Sequence, residues 1–218
     1  MPGSFPVFDA LVQHLVARLA PARALDVGTG AGKYGRLLAQ HAPACQRVGV
    51  EVEASYVQRF ALDALYQPLH VECITRWWRR TPDELFDLVL VGDCIQQLAK
   101  SDGLDLLNAL VYRCGWLVLL APEFIVQQAV HGLAAAAHRS VWSERDLLWH
   151  DLWAWDNCRG ITMMVLRGYQ PSPLTLPAWV DEVNAGQVPL RHFDGDGFVR
   201  PARLRLVQQP REVAYRLL

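Results

Sequence analysis

Three carboxylates and a run of alternating glycines are the residues of this chain best suited to chemistry. Asp26-Val-Gly28-Thr-Gly30-Ala-Gly32 sets a charged side chain in an apolar run and follows it with a turn nearly free of side chains. A carboxylate at the end of a buried strand is costly unless something pairs with it, and glycines let a backbone approach a ligand with no Cβ in the way. Glu51 closes Val48-Gly-Val-Glu51, 23 residues after Gly28. A carboxylate so placed can accept hydrogen bonds from both hydroxyls of a ribose; Glu53, just beyond it, is the weaker candidate. Asp93, with Cys94, closes Phe86-Asp-Leu-Val-Leu-Val-Gly-Asp93. His131 and His138 stand seven residues apart and would share one helix face. Either suits a general base near neutral pH, and a structural role is the competing reading.

The elements that must position these residues follow from hydrophobic patterning. Strand-like runs recur at 24–27, 47–50, 69–72, 85–91 and 116–120. Helical segments separate them at 33–41, 55–65, 74–83 and 102–112, with Ser101 as N-cap of the last and Gly115 past its end. Such alternation predicts an α/β fold, a doubly wound, mostly parallel sheet. An amphipathic helix with Phe8, Leu11, Val12, Leu15 and Leu19 on one face precedes it. Beyond Pro122 the pattern changes. A helix is expected over 124–138, a capping box at Ser143–Asp146, and a hairpin from 152–155 and 161–167 around 156–160. Trp149, Trp153 and Trp155 are expected to pack that hairpin onto the sheet. Residues 1–169 therefore read as one domain. Residues 170–218, rich in proline and glycine and without helical periodicity, read as a C-terminal extension. It would carry edge strands at 198–207 and 212–218, and would cover the domain or form a homodimer contact.

Bulk properties narrow the function classes. The chain has 218 residues, 52% of them hydrophobic and 20% charged, with a net charge of −1. That balance gives no case for nucleic-acid binding, and no apolar run approaches the ~20 residues of a membrane span. Five scattered cysteines without a CxxC pair suggest small buried side chains in a reducing, cytoplasmic setting, with no metal site.

The glycine run can be tested against three loops. A phosphate-binding P-loop fails, because Gly28 lies four residues before Gly32 rather than five, and Tyr34 stands where a hydroxyl must hold magnesium. A dinucleotide fingerprint matches as Gly30-x-Gly32-x-x-Gly35, but its first glycine comes too late after the strand. The stretch resembles motif I of the class I S-adenosylmethionine-dependent methyltransferases, whose pattern is close to D-x-G-x-G-x-G. Residues 86–93 resemble that family's fourth strand, and 115–122 its fifth.

The resemblance implies S-adenosylmethionine as cofactor. It places Asp26, Gly28, Thr29, Gly30, Gly32 and Tyr34 at the methionine end, with Asp26 meeting a cationic segment. Glu51 and Val52 fall at the ribose, Cys73 and Ile74 near the adenine, and Asp93 and Cys94 by the transfer centre. Asp93, His131 and His138 are the candidate catalytic residues. Methyl transfer to an oxygen or nitrogen of a small organic acceptor, or of a modified peptide, is the implied activity, in a setting such as bacterial secondary metabolism. A nicotinamide (NAD(P)-dependent) oxidoreductase and a catalytically inactive cofactor-binding scaffold are the alternatives.

Overall fold

A computed structural model describes residues 5–123, 127–128, 136–191 and 197–209. Helix α1 (Asp9–Leu19) leads into β1 (Arg23–Val27), α2 (Lys33–His41) and β2 (Gln46–Glu51). Two short helices, α3 (Ser55–Phe60) and α4 (Leu62–Leu65), precede β3 (Leu69–Val71) and α5 (Ile74–Arg80). Then come β4 (Phe86–Gly92), a 3-10 turn (Ile95–Gln97), α6 (Lys100–Val111) and β5 (Cys114–Pro122). The hairpin β6 (Leu152–Cys158) and β7 (Ile161–Arg167) is followed by α7 (Leu176–Gly186), β8 (Pro189–Arg191), β9 (Phe198–Pro201) and β10 (Arg205–Gln208).

Eight strands form one sheet in the order β10-β6-β7-β5-β4-β1-β2-β3. From β5 to β3 all neighbours run parallel, while β7, β6 and β10 add an antiparallel margin. Central strands are covered on both faces, so they read as continuous apolar runs. All nine residues of β5 are buried. Alternation divides them between two cores. Leu88, Leu90, Trp116 and Val118 pack with α1, α2 and α7, while Val89, Val91, Leu117 and Leu119 pack with α5 and α6.

The chain moves outward in opposite directions from β1 and β4, so their connections leave on opposite faces. That geometry opens a crevice at the strands' carboxyl ends, where Asp26, Glu51 and Asp93 had been expected to meet.

Several elements depart from expectation. The segment from 170 covers the domain and gives it an edge strand, as expected, but it contains a helix where none is expected, and the strand expected over 198–207 is two, β9 and β10. β10 pairs with β6, and Leu176, Trp179, Val180 and Val183 of α7 enter the first core. Their i, i+3, i+4, i+7 spacing is helical, and Thr175 caps the helix with Pro177 in its first turn. Helix α6 begins at Lys100, one residue before the expected cap, with no side-chain cap. The 55–65 helix breaks at Ala61, whose φ is 49°. Trp149 is 92% exposed, whereas Trp153 is buried. Of the helix expected over 124–138, only 127–128 and 136–138 are among the described residues, and these are not α-helical. Residues 212–218 lie outside the described residues. No helix among the described residues is long and apolar enough to cross a membrane.

Candidate active site

A cavity of about 470 Å³ opens at the carboxyl ends of β1, β2 and β4. Its floor is the loop after β1. Gly28 has φ +71°, and a Cβ there would stand 2.7 Å from the Cβ of Cys94, so neither the turn nor the neighbour admits a side chain. The loop is held from β2. The Gly28 and Thr29 amides donate to the Val50 carbonyl, at 2.8 and 3.4 Å. The Glu51 carboxylate accepts from the Gly30 amide at 2.8 Å, from the Thr29 hydroxyl at 3.3 Å and from the Glu53 amide at 2.9 Å.

The opposite wall comes from the end of β4. Asp93 has φ 53°, a left-handed conformation uncommon outside glycine. One carboxylate oxygen accepts from the Phe5 amide at 2.7 Å; the other, Oδ1, has no partner among the described residues. Burial pushes the Asp93 carboxyl up to about 6, against the opposing pull of Phe5 and Lys33. Lys33 bridges Asp9 at 2.5 Å and the Phe5 carbonyl at 3.2 Å, so the first described residue is tied to the rim twice. The Cys94 thiol donates to the Val27 carbonyl at 3.1 Å, and burial pushes that thiol far up, which makes it a poor nucleophile. Gln96 also lines the cavity and is 2% exposed, yet its Oε1 has no partner among the described residues. The Gln96 carbonyl accepts from the amides of Arg139 and Ser140, which brings His138 to the cavity wall.

The cavity thus gathers Gly28, Thr29, Gly30 and Tyr34 from the first loop, and Glu51 and Val52 from the second. Cys73 and Ile74, Asp93 and Cys94, and His138 complete the set expected from sequence. Three expected residues are not brought there. His131 lies outside the described residues. Gly32 faces away, where a Cβ would meet Leu65 Cδ1 at 2.6 Å. Asp26 does not line the cavity either. It pairs in register with Gly49, and the space left over that glycine is filled by the ring of Tyr66. Asp26 is 1% exposed, and its Oδ2 accepts from the Tyr66 hydroxyl. Burial pushes its carboxyl up to about 7, with Tyr66 pulling the other way. The carboxylate thus meets a phenol from its own chain through Oδ2, while Oδ1 has no partner among the described residues.

A scan against protein-family models and a search of curated proteins found no match. Solved structures do match. A SAM-dependent methyltransferase from Archaeoglobus fulgidus superposes with a TM-score of 0.55 at 13% identity, over 72% of this chain and 93% of its own. The N-terminal domain of EvdMO1, crystallised with SAH and D-fucose, gives 0.54 at 14%, over 77% and 84%. A putative O-methyltransferase from Nostoc punctiforme gives 0.53 at 15%, over 75% of this chain; the chain spans about half of that protein, 56%. This chain has the methyltransferase fold.

Within that fold, sequence reasoning missed Phe5, Lys33, Gln96, Gln97 and Arg139 on the cavity wall. Gln96 and Gln97 carried a usable signal, since they come two and three residues after Cys94 and sit beyond an apolar strand. Phe5 and Arg139 carried none, because folding alone brings them to the rim.

Proposed function

We propose that this chain binds S-adenosylmethionine in the cavity and directs methyl transfer to an oxygen or nitrogen of a small organic acceptor. One observation carries the choice of ligand: five amides of the glycine loop and the helix start are already taken within the protein. A dinucleotide's pyrophosphate needs free amides at a helix N-terminus. Here the Gly28 and Thr29 amides go to Val50, Gly30 to Glu51, Gly32 to the Thr29 carbonyl and Gly35 to Tyr66. Glu51, Glu53, Glu72 and Asp93 line the cavity against Lys33 and Arg139, a balance that opposes an anionic dinucleotide and favours a cationic sulfonium compound.

The residues present fit such a ligand. Glu51 retains acceptor capacity on a carboxylate with about four lone-pair sites, which suits paired ribose hydroxyls. Cys73, Ile74 and Val52 supply a largely apolar wall suited to a purine. S-adenosylmethionine, when bound, supplies an activated methyl carbon and its own leaving group, so the protein's share is positioning and proton removal. Asp93 is the group we assign to the proton. It is on the wall, its Oδ1 has no partner among the described residues, and with its carboxyl at about 6 it is mostly ionised at neutral pH. His138 is the second candidate. Bare oxygens on Asp93 and Gln96 both call for a donor, which an acceptor bearing O–H or N–H supplies.

Calorimetric titration with S-adenosylmethionine, SAH and NADH tests the reading. Binding of the first two and silence with NADH is the expected result. The reverse would replace it with a nicotinamide oxidoreductase. Binding without methylated product across hydroxyl and amine acceptors would make the chain a non-catalytic subunit.

A further inference from the structure

We propose that Tyr66 is a positioning residue for the cavity floor: its hydroxyl, held between Asp26 and the Gly35 amide, caps helix α2 from outside and fixes the loop before it. The first amides of a helix have no intrahelical acceptor, and a side chain at the N-cap usually takes one of them. In α2 the N-cap is Gly32, left-handed at φ 79°, with no side chain to give. The Gly35 amide, third in the helix, donates instead to the Tyr66 hydroxyl at 2.9 Å. That hydroxyl donates in turn to Asp26, which sits at the other end of the same loop. Asp26 therefore orients the phenol, so that a lone pair faces Gly35.

The ring is fitted as closely as its hydroxyl. A Cβ at Gly35 would lie 2.6 Å from Tyr66 Cζ, and one at Gly49 would lie 2.8 Å from Cγ. Tyr66 is 1% exposed and lies 40 residues from Asp26 in sequence. Residues 28–32, which include the cavity floor, thus run between two points that a single phenol ties together. The strand-end carboxylate, itself outside the cavity lining, shapes the site through Tyr66.

Tyr66→Phe keeps the ring and removes the tie. The expected result is a rise of about tenfold in the SAH dissociation constant, the scale of one hydrogen bond. Faster hydrogen exchange at amides 28–35 should accompany it, with β5 protection unchanged. Asp26→Asn keeps an acceptor for the phenol and should bind SAH nearly as wild type; Asp26→Leu should behave like Tyr66→Phe. A direct ionic contact between Asp26 and ligand predicts the opposite for Asp26→Asn, a large loss, and that result would overturn the proposal. So would a Tyr66→Phe protein with unaltered loop exchange, or one with every amide destabilised equally. The binding readout rests on the cofactor reading. If wild type takes up no SAH, that reading fails alone, and the exchange pattern still decides the role of Tyr66.

Discussion

The ends of β2 and β4 face one cavity with a carboxylate each, and the fold treats the two in opposite ways. Glu51 accepts two backbone amides and a hydroxyl, so one of its oxygens holds the glycine loop and the other the turn after β2, with acceptor sites to spare. Asp93 accepts one amide, leaves Oδ1 without a partner among the described residues, and holds a left-handed backbone while doing so. Several internal hydrogen bonds mark a group that builds the site; an unpaired, buried oxygen at a strained position marks one kept for what enters. The difference separates a cradle complete before binding from a reaction wall completed by the ligand.

The sharpest way to break that contrast is Asp93→Asn. The amide can still accept from Phe5 but takes no proton. Turnover should fall by about 100-fold or more, the usual scale for losing a general base, while SAH affinity stays near wild type. The pH profile sharpens it further. Only ionised Asp93 accepts a proton, and burial sets its carboxyl at about 6. The kcat/KM of the wild type should therefore climb with pH up to about 6 and level off above, a rise the Asn variant should lack. A profile indifferent to Asp93→Asn would pass the proton to His138.

Glu51→Ala tests the other side. It frees the Gly30 and Glu53 amides and the Thr29 hydroxyl together. Hydrogen bonds to a charged group are worth about 1.5–3 kcal/mol each, so SAH affinity should fall by about 50-fold on titration, with kcat at saturation much less changed. Equal losses in both would mean that the β2 carboxylate also acts in the transfer step.

How much of this was legible in the letters depends on how far each fact reaches along the chain. Parallel strands ending in carboxylates are local features, so the sheet, the glycine turn and the positions of Asp26, Glu51 and Asp93 could all be read. What each carboxylate touches is not local. Asp26 was read as facing a ligand because nothing near it announces Tyr66, which reaches it only through the gap over Gly49. The bond from Phe5 to Asp93 spans 88 positions and leaves no pattern. Helix α7 was a different failure. Its apolar spacing is regular, but surrounding prolines masked it, although Pro177 sits in the first turn where proline is tolerated. Trp149 was misplaced because alternation along 149–155 breaks at the start of β6, leaving that ring outside the hairpin.

The smallest expected effect probes the reaction wall without any ligand. Gln96 is buried in a 3-10 turn with Oε1 unpaired among the described residues, while its backbone carbonyl anchors Arg139 at 2.7 Å and Ser140 at 3.1 Å. A buried acceptor without a donor costs about 1–3 kcal/mol. Leucine is one heavy atom shorter and has no such oxygen, and the backbone anchor would survive the exchange. Gln96→Leu should therefore raise the melting temperature of the free protein by about 2–4 °C for each kcal/mol recovered in a chain of this size. A stabilised protein that also turns over more slowly would mean that the oxygen is kept, at a cost to stability, for a donor on the acceptor molecule. A lowered melting temperature would mean that the carboxamide is already satisfied inside the protein. The β4 end would then be as complete before binding as the β2 end, and the contrast between them would shrink to Asp93 alone.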